Sequence, residues 1–102
     1  MHEKQLLAYL KGACLGRARR VGGAELERAL GISGTDLRKH VNRLRRRGIP
    51  IASDRSGYFY ARTAGEVYAT IRQLRKMAAG LEAAIRGLEQ SLDGFGGGGD
   101  PP

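Results

Sequence analysis

The sequence has no tryptophan, a single cysteine and only two histidines among its 102 residues. One cysteine cannot form a disulfide within the chain, so a reducing cytoplasmic compartment fits the composition best. The few histidines and the lone cysteine offer no zinc-ligand spacing, and neither a phosphate-binding loop nor a Ser-His-Asp set is recognisable. We therefore expect no enzymatic activity, no cofactor and no metal site.

Long apolar runs are also missing. The longest ones are far too short to cross a bilayer, and Met1–Lys4 begins no secretory signal. A chain of this length supports one domain with a modest core. We expect a cytoplasmic protein without a membrane partner, and no pocket for a small-molecule effector is evident.

Positive charge is abundant but unevenly placed. The formal net charge is +8. Residues 1–62 hold 14 Lys or Arg against 5 Asp or Glu, a net of +9, whereas residues 63–102 hold 4 against 5, a net of −1. A basic front half indicates a polyanionic partner for that part of the chain. An acidic membrane surface is the competing partner.

Apolar periodicity predicts three helices in the first half of the chain. The first spans Glu3–Ala13 and the second about Gly23–Leu30, with Gly31 just past its end. The third begins at Ser33 and closes at Gly48. Its Ser-Gly-Thr-Asp start matches a capping box, in which a hydroxyl precedes a carboxylate by three residues.

A β-hairpin is predicted directly after the third helix. Ile49–Ser53 and Tyr58–Ala61 have strand composition, and Asp54 and Gly57 between them are residues typical of a type I turn. Val21 is expected to add a one- or two-residue edge strand.

The third helix is predicted to have one apolar and one cationic face. Leu37, Val41 and Leu44 fall within about 60° of arc at 100° per residue. Six Lys or Arg follow between residues 38 and 47, with no acid after Asp36. A solvated helix face normally carries acids as i, i+4 partners, so their absence favours a polyanion ligand over plain solvation.

The stretch 25–48, ELERALGISGTDLRKHVNRLRRRG, resembles the DNA-binding domain of the biotin repressor and its relatives. The wing residues Gly57-Tyr58 match a Gly-Tyr of that family. The pattern PIAS…GYFYA, followed by a capped helix, is similar to small phage and prophage DNA-binding proteins. The resemblance covers about residues 3–62 and implies a winged helix-turn-helix that binds DNA; nothing resembles the ligase domain of the biotin repressor.

A recognition helix presents its N-terminal part to base edges in the major groove. The predicted base readers on the third helix are Thr35, Arg38, Lys39 and Asn42. The predicted phosphate contacts are Ser33, Arg43, Arg45, Arg46 and Arg47. Wing contacts are predicted for Ser53, Arg55 and Ser56, with solvation of an ordinary turn as the alternative for Arg55. Arg17, Arg19 and Arg20 are weaker phosphate candidates.

A long capped helix is predicted after Thr63. From Val67 to Leu92 its apolar residues follow steps of four and three, an unbroken heptad seam. Leu at position d with Ile at position a favours a dimer of two parallel strands. The predicted dimerisation residues are Ile71, Leu74, Ala78, Leu81, Ile85 and Leu88. The alternative is that this helix folds back on the first helix, as its first two turns are expected to do in either case.

The predicted fold class is α+β and mostly helical: a winged helix-turn-helix with a long C-terminal helix. The predicted parts are a DNA-binding domain over 1–62, a dimerisation helix over 63–93 and a disordered Gly-rich tail over 94–102. The predicted function is sequence-specific binding of double-stranded DNA by a phage or bacterial transcriptional regulator. The alternatives are a protein-interaction scaffold, a phage replication, partition or packaging factor, and binding of double-stranded RNA.

Overall fold

The computed structural model describes residues 2–95, which form four α-helices and one antiparallel hairpin. The helices are α1 (His2–Ala13), α2 (Gly23–Leu30), α3 (Gly34–Arg46) and α4 (Ala64–Ser91), and the strands are β1 (Ile51–Asp54) and β2 (Gly57–Tyr60). Short 3-10 helices span Arg17–Arg19 and Leu92–Phe95. The chain is thus mostly helical with a small sheet, as the coarse α+β prediction states.

The boundary between two compact units lies between Thr70 and Ile71, inside α4, eight residues beyond the predicted domain end at residue 62. The last two described residues, Gly94 and Phe95, belong to a 3-10 helix although they begin the segment predicted as a tail. The rest of that segment, 96–102, lies outside the described residues. Within residues 2–95, no helix is both long enough and apolar enough to cross a membrane.

Local sequence signals set the ends of the helices in the first unit. Ser33 is the N-cap of α3, and its hydroxyl accepts a hydrogen bond from the Asp36 backbone N–H at 3.1 Å. Gly31 ends α2 in the left-handed conformation, with φ of 66°, where a side chain would be strained. Both features agree with the predicted cap and helix end.

The core of the first unit joins α1, α2, α3 and both strands. Its largest fully buried side chains are Phe59, Leu6, Leu10, Leu26, Leu37 and Leu44. Cys14 is 3% exposed, as expected for a small core residue, and burial raises the pKa of its thiol. Phe59 on β2 packs in this cluster, which ties the hairpin to the three helices.

The hairpin pairs β1 with β2 in a register that places Ile51 opposite Tyr60 and Asp54 opposite Gly57. β1 begins two residues later than predicted, because the Ile49 N–H donates to the Leu44 carbonyl in the turn that closes α3. Arg55 has no positive φ, which agrees with the predicted type I turn.

Val21 pairs with the hairpin as predicted. Its N–H donates to the Tyr58 carbonyl at 2.9 Å, and the Tyr58 N–H donates to the Val21 carbonyl at 2.8 Å. Gly57 permits this approach, since a Cβ at that position would overlap the Val21 carbonyl group. The bridge holds the segment before α2 against β2.

The start of α4 is fixed to β1 and to the segment before α2. Thr70 is buried, and its hydroxyl accepts a hydrogen bond from the Ser53 N–H at 3.2 Å. The Glu66 carboxylate accepts from the backbone N–H groups of Arg62 and Arg17, at 2.7 and 2.9 Å, and these bonds lower the pKa of Glu66. The first two turns of α4 are therefore bonded to β1 and to the Arg17–Arg19 segment.

Candidate nucleic-acid interface

Helix α3 has one buried stripe and one exposed cationic face. Leu37, Val41 and Leu44 are only 2%, 3% and 1% exposed, respectively, within the core of the first unit. The side chains on the opposite face are exposed; they are Thr35, Arg38, Lys39, Asn42 and Arg46. Packing on one side thus fixes which side chains α3 presents to solvent on the other.

The four predicted base readers all belong to this exposed face. Arg38 donates to the Thr35 hydroxyl at 3.4 Å, so the two side chains lie next to each other in the first turns of α3. Among residues 2–95, no carboxylate oxygen lies within 4.0 Å of the charged groups of Arg38, Lys39 or Arg46. These cations have no ion-pair partner there that a ligand would need to displace.

Arg45 has a different environment from the other predicted phosphate contacts. Its Nε donates to the Ile51 carbonyl at 2.7 Å, and its Nη2 donates to the Ser53 hydroxyl at 3.0 Å. Burial lowers the pKa of its guanidinium. Arg45 therefore connects α3 to β1. Its guanidinium is hydrogen-bonded to β1, whereas Arg46 is exposed to solvent.

Arg43 and Arg47 share an acidic partner on α1. The Glu3 carboxylate accepts from Arg43 Nε at 2.8 Å and from Arg47 Nη1 at 3.4 Å. Arg43 Nη2 lies 2.8 Å from His40 Nδ1, closer than the 3.5 Å between His40 Nδ1 and Glu3. A guanidinium nitrogen only donates, so His40 Nδ1 is the acceptor in this contact. Two of the predicted phosphate contacts are therefore partly neutralised within the chain.

The different environments of Arg45 and Arg46 lead to opposite expectations for their alanine variants. Arg45→Ala leaves the Ile51 carbonyl and Ser53 hydroxyl without their donor, so we expect a loss of about 1–3 kcal/mol in unfolding free energy. Arg46→Ala should change stability by less than about 0.5 kcal/mol. If Arg46 contacts a phosphate as predicted, the variant should bind duplex DNA about fivefold more weakly.

Urea denaturation and fluorescence anisotropy with labelled duplex measure the two effects on each variant. Arg45→Ala should retain the DNA affinity of the parent within about twofold when corrected for the folded fraction. A stable Arg45→Ala chain that has lost DNA binding would show that Arg45 contacts DNA.

The Glu3 pairing predicts a gain of DNA affinity on its removal. In Glu3→Gln, Arg43 and Arg47 lose their carboxylate partner and become available to phosphates. We expect about twofold to fivefold tighter duplex binding, and the slope of log affinity against log salt concentration should become more negative by about 1–2. Glu89→Gln, with the same charge change on an exposed residue of the second unit, is the control. Equal gains for both variants would mean that only net charge matters.

The same pairing has a pH dependence. The hydrogen bond from Arg43 is the main cause that lowers the pKa of Glu3 below its usual value, and partial desolvation opposes it. A carboxyl with a lowered folded-state pKa stabilises the fold fully above its unfolded pKa, and this contribution is lost as pH falls through the folded pKa. The stability difference between the parent and Glu3→Gln should therefore shrink as pH falls below about 4.5.

The predicted wing residues divide into one structural residue and two exposed ones. Ser53 is bonded through its hydroxyl to Arg45 and through its backbone to Thr70. Arg55 and Ser56 form the exposed tip of the turn. The Asp54 carboxylate accepts from the Ser56 N–H at 2.8 Å, which fixes the shape of that tip.

Sequence reasoning missed the partners of two arginines near the hairpin. Arg17 Nε and Arg20 Nε lie 3.8 and 3.6 Å from Asp54 carboxylate oxygens. Arg17 also lies over the Phe59 ring, 6.0 Å from its centroid. No local pattern links residues so distant in sequence, so only the folded arrangement reveals that these weaker phosphate candidates are held against the hairpin.

The second unit carries an exposed apolar row. The predicted seam side chains of α4 from Leu74 onward are all exposed, with Leu81 at 67% and Leu88 at 69%. Ile71, at the start of this unit, is half-buried.

Comparison of the chain with protein-family models, with curated proteins and with solved structures gave no match. Over residues 2–95, the side chains form no group of three His, Cys, Asp or Glu that could hold a metal ion. We therefore infer the function from the geometry of α3, the hairpin and α4.

Proposed function

We propose that the chain is a winged helix-turn-helix protein that binds double-stranded DNA with sequence preference. The observation that carries this proposal is the exposed face of α3, where Arg38, Lys39 and Arg46 have no carboxylate within 4.0 Å among the described residues. Mutual repulsion of cations on one rigid face costs free energy that a row of phosphates would offset.

The dimensions of α3 support a role in the major groove, which admits one α-helix. Its N-terminal half carries the exposed Thr35, Arg38, Lys39 and Asn42, and this end of a recognition helix approaches base edges. Arg can donate two hydrogen bonds to guanine, and Asn can bond adenine in the same two-point manner. We assign base reading to these four side chains.

Phosphate contacts are assigned to Arg46, Arg43 and Arg47. Arg43 and Arg47 would give up their bonds to the Glu3 carboxylate when they bind phosphate. Ser33 remains a candidate through its position at the N-terminus of α3, where backbone N–H groups favour anions. We withdraw Arg45 from this group because it bonds β1. Arg55 and Ser56 at the hairpin tip are the proposed wing contacts.

Self-association through α4 completes the proposal. The seam consists of the half-buried Ile71 and the exposed Leu74, Ala78, Leu81, Ile85 and Leu88, and burial of its aliphatic groups would stabilise a homodimer. Dimeric DNA-binding proteins match their two-fold symmetry to paired half-sites. A transcriptional regulator of phage or bacterial type, working in the cytoplasm, fits this combination; replication, partition and packaging factors need the same parts.

The exposed seam also favours a second candidate, a scaffold that recruits a larger protein through α4. Fluorescence anisotropy with a labelled random-sequence duplex separates the two proposals. We expect binding at low salt, weakening with a log–log slope of roughly −5 as about five phosphates are neutralised. No binding in dilute buffer would favour the scaffold.

A matched RNA duplex and a sequence-selection experiment refine the result. Tighter binding of the RNA duplex would replace DNA by RNA as the ligand. Selection of bound sequences from a random DNA pool should enrich a symmetric motif if both the reader helix and the homodimer are correct.

A further inference from the structure

The side chains beside the apolar seam of α4 distinguish the two directions in which a second copy could pack. The seam places Ile71, Ala78 and Ile85 at heptad position a, and Leu74, Leu81 and Leu88 at position d. The flanking e positions are then Tyr68, Arg75, Glu82 and Glu89, and the g positions are Thr70, Met77, Ala84 and Ser91. Charges at e and g set partner choice and orientation in coiled coils.

A parallel pair of α4 helices would bring no opposite charges together. In that orientation each g residue meets the e residue five positions later on the partner. The resulting pairs are Met77 with Glu82 and Ala84 with Glu89, whereas Thr70, the g residue before Arg75, is buried against β1. All the charged members would lie beside neutral side chains.

An antiparallel pair brings e residues against e residues of the partner. When Ala78 faces Leu81 of the partner subunit, Arg75 and Glu82 of the partner subunit lie on the same side of the seam. Their positions along the helix axis differ by only two residues, or about 3 Å. The two-fold axis repeats this pair, so the dimer gains two opposite-charge contacts. Arg75 and Glu82 are both exposed in the single chain and are free to make them.

The apolar layers also favour the antiparallel direction. In that register Ile71 faces Leu88 of the partner subunit, Leu74 faces Ile85 of the partner subunit, and Ala78 faces Leu81 of the partner subunit. Each layer therefore contains at least one large aliphatic group. In a parallel dimer Ala78 would face its own copy and leave the layer underfilled. Facing large against small side chains fills a seam better than facing small against small.

We infer that the occupant of the α4 seam is a second copy of the chain in antiparallel orientation, held in register by Arg75 and Glu82 of the partner subunit. This inference rests on the proposed homodimer and adds its direction. Ile at position a with Leu at position d favours parallel strands. We nevertheless infer the antiparallel direction, because the charge pairs and the Ala78 layer both favour it.

Disulfide formation between single cysteines tests the direction in the full chain. Cys14→Ser removes the native thiol, and Leu74→Cys and Ile85→Cys are then made in separate chains. In the antiparallel dimer the two copies of Cys at 74, or at 85, are about 16 Å apart along the axis, beyond the reach of a disulfide. We expect neither chain to cross-link alone and an equimolar mixture to cross-link under mild oxidation.

The outcomes separate this inference from the proposed homodimer. Cross-linking of each chain alone, with no further product in the mixture, would show a parallel dimer and overturn the inference only. A parent chain that sediments as a monomer up to hundreds of micromolar would overturn the homodimer as well. The Cys14→Ser chain alone is the control for oxidation at other sites.

A charge exchange gives a second readout that leaves the apolar seam intact. Arg75→Glu and Glu82→Arg should each raise the dimer dissociation constant about threefold to tenfold at low salt, because two attractive contacts become repulsive. Combined, they should return it to within about twofold of the parent. Glu89→Arg, at an e position that faces Tyr68 of the partner subunit, is the matched control. Unrestored affinity in the combined variant would contradict the antiparallel register.

Discussion

Simultaneous replacement of Arg38, Lys39 and Arg46 by alanine should weaken duplex DNA binding about a thousandfold. Arg38 and Lys39 are proposed base readers, each contributing about 1–3 kcal/mol of recognition, and Arg46 is a proposed phosphate contact. A loss of about 4 kcal/mol corresponds to a factor of 10³ in dissociation constant. Fluorescence anisotropy at low salt measures this change.

The fold of this variant should be intact, because all three side chains are exposed and unpaired with carboxylates among the described residues. The matched control replaces Lys11, Arg28 and Lys76, which are also exposed, and removes the same charge. We expect it to lose less than tenfold in affinity. Similar losses for both triple variants would mean that DNA is attracted by net charge and not by α3.

Replacement of Leu81 by arginine should raise the dimer dissociation constant at least about a hundredfold. Leu81 lies near the middle of the exposed row of α4, and two copies per dimer would place a charge in an apolar seam. Sedimentation equilibrium of the full chain measures the change. The stability of the first unit should be unaffected, since Leu81 is 67% exposed and belongs to the second unit.

Ala83→Arg is the control for this prediction. It adds the same charge to α4 at an exposed position opposite the seam, and we expect the dissociation constant to change by less than about threefold. If Leu81→Arg and Ala83→Arg sediment alike, the apolar row does not hold the dimer. A dimer that persists unchanged in Leu81→Arg would exclude this seam as its interface.

The sequence predicted the helices of the first unit well because their signals are local. The limits of α2, Gly23–Leu30, follow from apolar spacing and the glycine after it, and the start of α3 follows from the Ser33 cap. The hairpin follows from β-branched and aromatic residues around an Asp-to-Gly turn. Each of these features depends on residues within a few positions of one another.

The partners of the cationic side chains were beyond such reasoning. Glu3 meets Arg43 across 40 positions, and Arg17 meets Asp54 across 37, so both contacts depend on how helices and hairpin pack. Arg45 borders the buried stripe of α3, and only the position of β1 decides whether its guanidinium bonds the chain or faces solvent. Helical periodicity alone could not separate Arg45 from the other predicted phosphate contacts.

Titration of the isotope-labelled full chain with DNA by NMR shows whether the exposed face of α3 lies against a duplex. Addition of a short duplex in dilute buffer should shift the backbone amide signals of residues 34–42 and of the hairpin tip at Arg55 and Ser56. Signals in α4 beyond residue 74 should move little. Unshifted signals throughout α3, at duplex concentrations well above that of the protein, would show that α3 does not contact DNA.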